Sequence, residues 1–462
     1  LSGGIEIKNR HSASELETDL KKNSRKDLKI NSEKNLEKNS ENNLEKDSGQ
    51  GLEKHQEKSG DEHTSLYQES LAVHRRFGGV LEVASKVSLQ TIHDLSVAYT
   101  PGVAEPCRKI IKDPELVYLY TMKRNTIAVV TDGSAVLGLG NIGPYAALPV
   151  MEGKAIIFKE FAGIDAFPIC LDTQETEEVI KAVKHLAPAF GGINLEDISA
   201  PRCFEIEGRL REELDVPVMH DDQHGTAIVV FAGLLNALKI VNKKLNELHI
   251  VISGMGAAGV AIFRFLVRAG ANPARILVCD SKGLVYEGRK NGMNPVKEEV
   301  ARLTNPEKLK GGLENAFPDA DLFIGVSVGG IVNEEMVRSM AKDAIVMAMA
   351  NPLPEIMPDA AKRAGARVVA TGRSDFPNQL NNCLSFPGVF KGALSTCARK
   401  ITPEMEMAAS HALAEVVTLN ELSEDRIIPD PLDRRVVPAV AKAVASASLE
   451  SCVARKSHED MA

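Results

Sequence analysis

The sequence predicts an α/β protein: an N-terminal α/β domain, then a doubly wound α/β domain closed by C-terminal helices, with a disordered tail in front. Three observations carry that reading. Short apolar runs that suit buried strands alternate with longer apolar-periodic stretches that suit helices over most of the chain. A glycine-rich turn joins one such strand to one such helix at 254–259. The first 65 residues share neither pattern.

In that tail, Leu20, Leu28, Leu36, Leu44 and Leu52 fall eight residues apart, in units such as NSEKNLEK and NSENNLEK. A helix turns about 100° per residue, so each unit drifts by roughly 80° and the leucines form no steady stripe. One apolar residue in eight cannot offset the entropy of ordering the segment. Residues 1–65 therefore read as disordered or transiently helical, and the missing 3.5-residue seam argues against a coiled coil.

Globular patterning starts near Leu66. IAVVTDG (127–133) reads as a buried strand, and KAIIFKEFAGIDAFPICLDT (154–173) as strand, loop and strand. The stretch 175–198 reads as a helix and then a strand ending in acidic residues. A long helix over 225–245, with Gly225-Thr226 as its start, marks the domain boundary, giving domains at 66–224 and 225–450. Beyond it, 247–271 reads as strand, glycine turn and helix. Strands follow at 275–283, 320–327, 344–352 and 367–372, and 401–455 is helical.

The 462 residues suit two folded domains plus an extra segment, and 44% hydrophobic residues suffice for sizeable cores. A net charge of -8 and a pI near 5.9 argue against a nucleic-acid partner. Seven scattered cysteines, an odd number with no C-x-x-C pair, fit a reducing compartment such as the cytoplasm. No run of about 18 apolar residues suggests a membrane span. The chain begins Leu-Ser-Gly-Gly rather than with Met, which fits a fragment and leaves an N-terminal signal open.

The stretch Gly254-Met255-Gly256-Ala257-Ala258-Gly259 follows the strand HIVIS and opens an apolar helix, the Rossmann-type arrangement for a dinucleotide. The glycines allow the tight turn, the approach of the pyrophosphate and close helix–strand packing, with the phosphates at the helix N-terminus. Asp280 ends the next strand, where an acid would bind the ribose 2′-hydroxyl. Its charge favours NAD over NADP, while Ser281 and Lys282, which follow at once, could reverse that preference, and Lys297 is another candidate phosphate contact. A second spelling, Gly138-Leu-Gly140-Asn-Ile-Gly143, lacks a clean preceding strand and a placed acid, so it reads as a glycine-lined loop at the active site.

Glu196-Asp197 and Asp221-Asp222 each end a predicted strand. Carboxylates gathered at one sheet edge repel one another unless a cation sits among them, and oxygen ligands suit Mg²⁺ or Mn²⁺ rather than zinc. The alternative for each pair alone is helix capping. His220 and His224 are spaced for orientation as readily as for ligation. Tyr99 lies in a turn-rich stretch, and Lys154, entering an apolar strand near a metal, could have a lowered pKa and act as a base.

Between residues 66 and 445 the motifs SVAYTPGVAEPC, TDGSAVLGLGNIGP, PVMEGKA, NLEDI, MHDDQHGTA, SGMGAAG, AMANPLPE and TGRSDFPNQLNNCLSFPGVF occur in the order found in the malic enzyme family, which the chain resembles in its shorter prokaryotic-type form. The resemblance implies an enzyme that oxidises and decarboxylates malate to pyruvate and CO₂ with NAD or NADP and a divalent metal, and that forms a homodimer or higher homo-oligomer. It implies Lys154 as proton acceptor at the C2 hydroxyl, Tyr99 as proton donor to C3 and Asp221 as support for the lysine. It implies Glu196, Asp197 and Asp222 as metal ligands, and Asn351, Asn381 and Asn382 as substrate-binding amides, with Asn351 also beside the cofactor. One departure stands out. Ala135 replaces an arginine that anchors a substrate carboxylate in the animal-type enzymes, leaving Ser134 with backbone amides, or Arg373, for that task. Three competing readings are a malolactic-type relative that releases lactate, a non-catalytic dinucleotide sensor and a metal-free amino-acid dehydrogenase. The complete set of Tyr, Lys and acids argues against the sensor and the dehydrogenase.

Overall fold

The computed structural model describes residues 53–455 apart from Leu137, with side chains described from residue 65. It divides into a unit ending at Ala72 and a unit beginning at Val73. Helix α1 (Glu53–Phe77) starts inside the segment predicted as tail, and the octapeptide repeat falls almost wholly outside the described residues.

In the second unit, α2 (Ile92–Ala98), α3 (Ala104–Lys112) and α4 (Val117–Tyr120) precede the first sheet. That sheet is parallel with order β2-β1-β3-β4, from β1 (Thr126–Thr131), β2 (Asp165–Cys170), β3 (Gly192–Leu195) and β4 (Val218–His220). The crossovers are α5 (Gly143–Ala162), α6 (Thr176–Leu186) and α7 (Arg202–Glu213). Every residue of β1 is buried, as its unbroken apolar run requires of a central parallel strand.

Helix α8 (Asp221–Val241) leads into the second sheet, of order β10-β9-β8-β5-β6-β7. Along the chain come β5 (Ile250–Ser253), α9 (Ala257–Arg268), β6 (Ile276–Asp280), β7 (Gly283–Leu284) and α10 (Pro295–Leu303). There follow β8 (Leu322–Gly325), α11 (Glu334–Arg338), β9 (Ile345–Ala348), α12 (Pro358–Arg363) and β10 (Val368–Thr371). All pairings are parallel except the short β6–β7 hairpin. Helices α13 (Phe386–Ser395), α14 (Pro403–Glu415) and α15 (Val436–Glu450) close the chain. By length and composition α8 could cross a membrane, but 67% of its apolar window is buried and it packs on α9 and α14 as a core helix.

One element differs from the sequence reading. Residues 154–162, predicted as a strand, complete helix α5, so Lys154 sits on a helix. Ala147, Met151, Lys154, Ala155, Phe158 and Ala162 are its buried residues, at helical spacing. Pro149 inside the helix and Gly153 hide that period from a sequence reader. Helix α8 also starts at Asp221, earlier than Gly225-Thr226, which moves Asp221 and Asp222 from a strand end into a first helical turn. One continuous core joins α5, α8, α13 and the second sheet. Phe158 meets Phe386 and Phe390 there, with ring centroids 4.7 and 5.5 Å apart. The two sheets thus flank one cleft on a shared, packed base.

Candidate active site

Strand register assembles the acidic residues. Leu195 of β3 pairs with His220 of β4, so Glu196-Asp197 and Asp221-Asp222 leave the same sheet edge side by side. Asp197 turns back with φ of 54°, and its amide donates to Asp222 Oδ2 at 2.9 Å. Oxygen atoms of Glu196, Asp197 and Asp222 lie within 4.8 Å of one another. Asp221 and Asp222 occupy the positive N-terminal end of α8, which favours their charge. Gly225 lets the Asp221 carboxylate lie against the helix, since a Cβ there would stand 1.8 Å from Asp221 Oδ1.

Lys154 enters from α5. Its Nζ donates to Asp221 Oδ2 at 2.6 Å, pairs with Glu196 Oε1 at 2.8 Å and lies 4.3 Å from the centre of the Phe386 ring. Asn382 donates to the same Asp221 oxygen at 2.6 Å, and Asn194 donates to Glu196 Oε2 at 2.8 Å. Burial alone would push the lysine pKa down, as the sequence reading expected. The two carboxylates outweigh burial and raise it, so Lys154 is held as an ammonium.

The acids are in the opposite position. Burial, then Asp222 and Glu196, raise Asp197 to about 9, and burial raises Asp221 to about 6 despite Lys154. Burial also raises Glu196. Asp221 Oδ1 is buried without a hydrogen-bond partner. Four carboxylates here face one ammonium, and an all-oxygen set with this excess of negative charge fits a hard divalent cation.

The histidines beside this cluster have other surroundings. His224 sits between Glu207 Oε1 and Glu406 Oε1, both at 2.9 Å. Burial opposes its charge, but the two carboxylates raise it to about 10. His224 is therefore a structural cation tying α7, α8 and α14 together. His220 stays buried with no hydrogen-bond partner for either ring nitrogen among the described residues, and its Nδ1 lies 3.7 Å from Asp222 Oδ2.

The glycine loop lies across the cleft. Gly254 has φ of 115°, and a Cβ on it would stand 2.5 Å from Val326 O. A Cβ on Gly259 would stand 1.9 Å from Gly254 O, so strand and helix meet as closely as the sequence requires. Gly256 faces open space and caps α9 without a side chain, leaving backbone N–H groups for an anion. A cavity of about 460 Å³ runs from Asp222 past Gly256, Ala257 and Ala258 to Asn351, Asn381 and Asn382. One end of it meets the N-terminus of α9 and the other lies beside the carboxylates. Met255 packs beneath the loop, 8% exposed.

Several sequence-derived residues stand elsewhere. Tyr99 is 66% exposed at the end of α2, and its side chain makes no hydrogen bond among the described residues. Ser134 is buried, its hydroxyl accepting from Ser199 N and Arg202 Nη2. Arg373 is engaged by both oxygens of Asp375 and by Pro352 O, so it is not an open carboxylate anchor. Asp280 does not present an open acceptor to a ribose. Burial would raise its pKa, but Arg289, Lys297 and the Lys282 amide hold it at about 2. Gly138 lies against Asn351 O and Pro352, which agrees with its reading as a loop beside the active site. Sequence reading missed Arg202, Glu207 and Arg289, which lie outside any motif spacing.

Residues 79–211 match the family model for the malic enzyme N-terminal domain, and residues 223–452 match that for the malic enzyme NAD-binding domain. The chain is 59% identical to a bifunctional malic/malolactic enzyme of Bacillus subtilis, over 85% of this chain and 95% of that one. It is 58% identical to an NAD-dependent malic enzyme of Geobacillus stearothermophilus, over 82% of this chain and 78% of that one. A solved NAD-dependent malic enzyme of Thermotoga maritima superposes with a TM-score of 0.78 at 51% identity, covering 81% of this chain and 98% of its own.

Proposed function

The chain belongs to the malic enzyme family, and on that premise we propose that the cleft between its two sheets is where malate is oxidised and decarboxylated. The reaction converts malate to pyruvate and CO₂ while NAD or NADP is reduced, with a divalent metal. The observation that carries this reading is the unbalanced cluster of Glu196, Asp197, Asp221 and Asp222 around Lys154, opening into the same cavity as the glycine loop.

Glu196, Asp197 and Asp222 would hold Mg²⁺ or Mn²⁺. The bound dication would supply Lewis-acid chemistry at the substrate's C2 oxygen, and a dinucleotide at the glycine loop would supply the hydride acceptor. Lys154 exchanges the C2 hydroxyl proton at Nζ, with Asp221 and Asn382 fixing its position. With a cation on Glu196, Lys154 would hold its proton less firmly than in the metal-free chain. Asn381, Asn382 and Asn351 offer amides to the substrate carboxylates, the task left open by Ala135. The division into a metal domain over 66–224 and a dinucleotide domain over 225–450 is part of the same proposal.

We assign the chain to a homo-oligomer. Ile92, Val97, Val103 and Ile111 are exposed on the segment that carries Tyr99, an apolar face that a second copy would cover. The role of Tyr99 in protonating C3 belongs to that assembled enzyme. A cytoplasmic location is the reading supported by seven free cysteines.

A spectrophotometric assay with malate and Mn²⁺, run against NAD and NADP in parallel with pyruvate measured, tests the proposal. Reduced dinucleotide and pyruvate in equal amounts are expected; neither product from active-folded protein overturns it. The name of the Bacillus subtilis relative favours a second output, lactate formed without net reduced dinucleotide, and the same assay separates the two.

A further inference from the structure

The tip of β6 carries a charge arrangement opposite to the one a ribose hydroxyl needs. Asp280 Oδ1 accepts from the Lys282 amide and from Arg289 Nη1, both at 2.8 Å. Its Oδ2 accepts from Arg289 Nη2 at 2.5 Å and from Lys297 Nζ at 2.7 Å. A carboxylate offers about four acceptor positions, and all are filled. The Asp280 and Arg289 side chains are only 6% and 5% exposed, so this pair is built into the fold. Arg289 Nη1 also donates to Gly283 O at 3.1 Å, which ties the pair to the β6–β7 hairpin.

The cations retain capacity. Lys297 donates to Asp280 and to Gly292 O at 3.0 Å, leaving its third proton. The Lys282 side chain is exposed and runs along Gly292, where a Cβ would stand 2.9 Å from Lys282 Cγ. One carboxylate thus stands among Arg289, Lys297 and Lys282, and the surroundings are net positive where an adenosine ribose would lie.

We propose that this site selects a dinucleotide bearing a 2′-phosphate, with Lys282 and Lys297 as the residues that contact it and Asp280 as the residue that positions Lys297 and Arg289. The inference rests on reading 254–259 as the pyrophosphate cradle. It reverses the preference that Asp280 suggests in the sequence: the acid holds cations in place and does not repel the phosphate. Charge-assisted bonds to a phosphate are stronger than neutral ones, so one or two leave a preference of at least roughly tenfold after desolvation.

The experiment is calorimetric titration of the full chain with 5′-AMP and with adenosine 2′,5′-bisphosphate, the two adenosine halves of the alternative cofactors. The bisphosphate should bind at least about tenfold more tightly, and the ratio should shrink as salt rises. In Lys297→Ala the ratio should fall toward one. Lys282→Ala, which removes no ion pair seen in the fold, should lower it severalfold and guards against misfolding of the first variant. Tighter binding of 5′-AMP overturns the proposal and leaves the dinucleotide site standing. A preference that survives both substitutions overturns the residue assignment. Failure of both ligands to bind overturns the cradle itself.

Discussion

Two regions of this molecule bury carboxylates beside cations, with opposite balance. At the edge of the first sheet, Glu196, Asp197, Asp221 and Asp222 share Lys154. At the tip of β6, Asp280 alone faces Arg289 and Lys297. The first site is short of positive charge and three of its acids are pushed upward; the second is short of negative charge and its acid is held near 2. A third network, His224 with Glu207, Glu406, Arg211 and Arg268, sets three cations against two carboxylates, but its Arg211 and Arg268 side chains are 24% and 39% exposed, so water screens the excess. Burying charge costs several kcal/mol per ion, so a fold retains an imbalance where a ligand of the opposite sign completes it. The comparison therefore supports the two proposals, a dication in one region and a phosphate in the other.

The strongest way to break the first half is Lys154→Ala. It should lower kcat for malate oxidation by up to about 10⁴-fold, the upper range for an acid–base residue, while dinucleotide binding by fluorescence titration persists. Full malate turnover in that variant contradicts its role. Asp222→Ala should lower kcat/KM by on the order of 10³-fold, since a Lewis acid supplies several kcal/mol. Unchanged activity, or wild-type activity in excess chelator, removes the metal from the account.

A third effect is on stability. Asp197 titrates near 9 in the fold, far above its ordinary value near 4, so the folded chain binds the extra proton between those values. Stability from that proton is complete below the ordinary value and is lost as pH rises toward 9. The melting temperature of metal-free protein should therefore fall from pH 6 to pH 8, and Mn²⁺ should restore more at pH 8 than at pH 6. An equal metal effect at both values would count against the cluster as the binding site. The smallest effect belongs to β6: raising salt from 0.05 to 0.5 M should reduce any NADP-over-NAD preference in KM by about threefold, by screening Lys282 and Lys297.

Much of this was legible in the sequence, for physical reasons. The Gly254–Gly259 turn is readable because two of its glycines answer steric demands within the same few residues. The strands were readable because buried parallel strands are continuous apolar runs. Lys154 was readable as a candidate through its motif, but not its helix, because Pro149 and Gly153 disguise the period. The direction of its pKa was not legible either. It depends on Glu196 and Asp221, which only the β3–β4 register brings to 2.8 and 2.6 Å. Asp280 was placed correctly at a strand end, yet its partner Arg289 lies in a loop with no periodic signal. Tyr99 is named by its motif alone, and nothing in its exposed position at the end of α2 marks it out.

The measurement that tests the central claim most directly is calorimetric titration of the full chain with Mn²⁺, beside Asp222→Ala. One Mn²⁺ bound per chain, with affinity strongly reduced in the variant, is the predicted result. No binding to the wild-type chain, or equal affinity in the variant, would contradict the claim that the acidic cluster's unbalanced charge is a metal site.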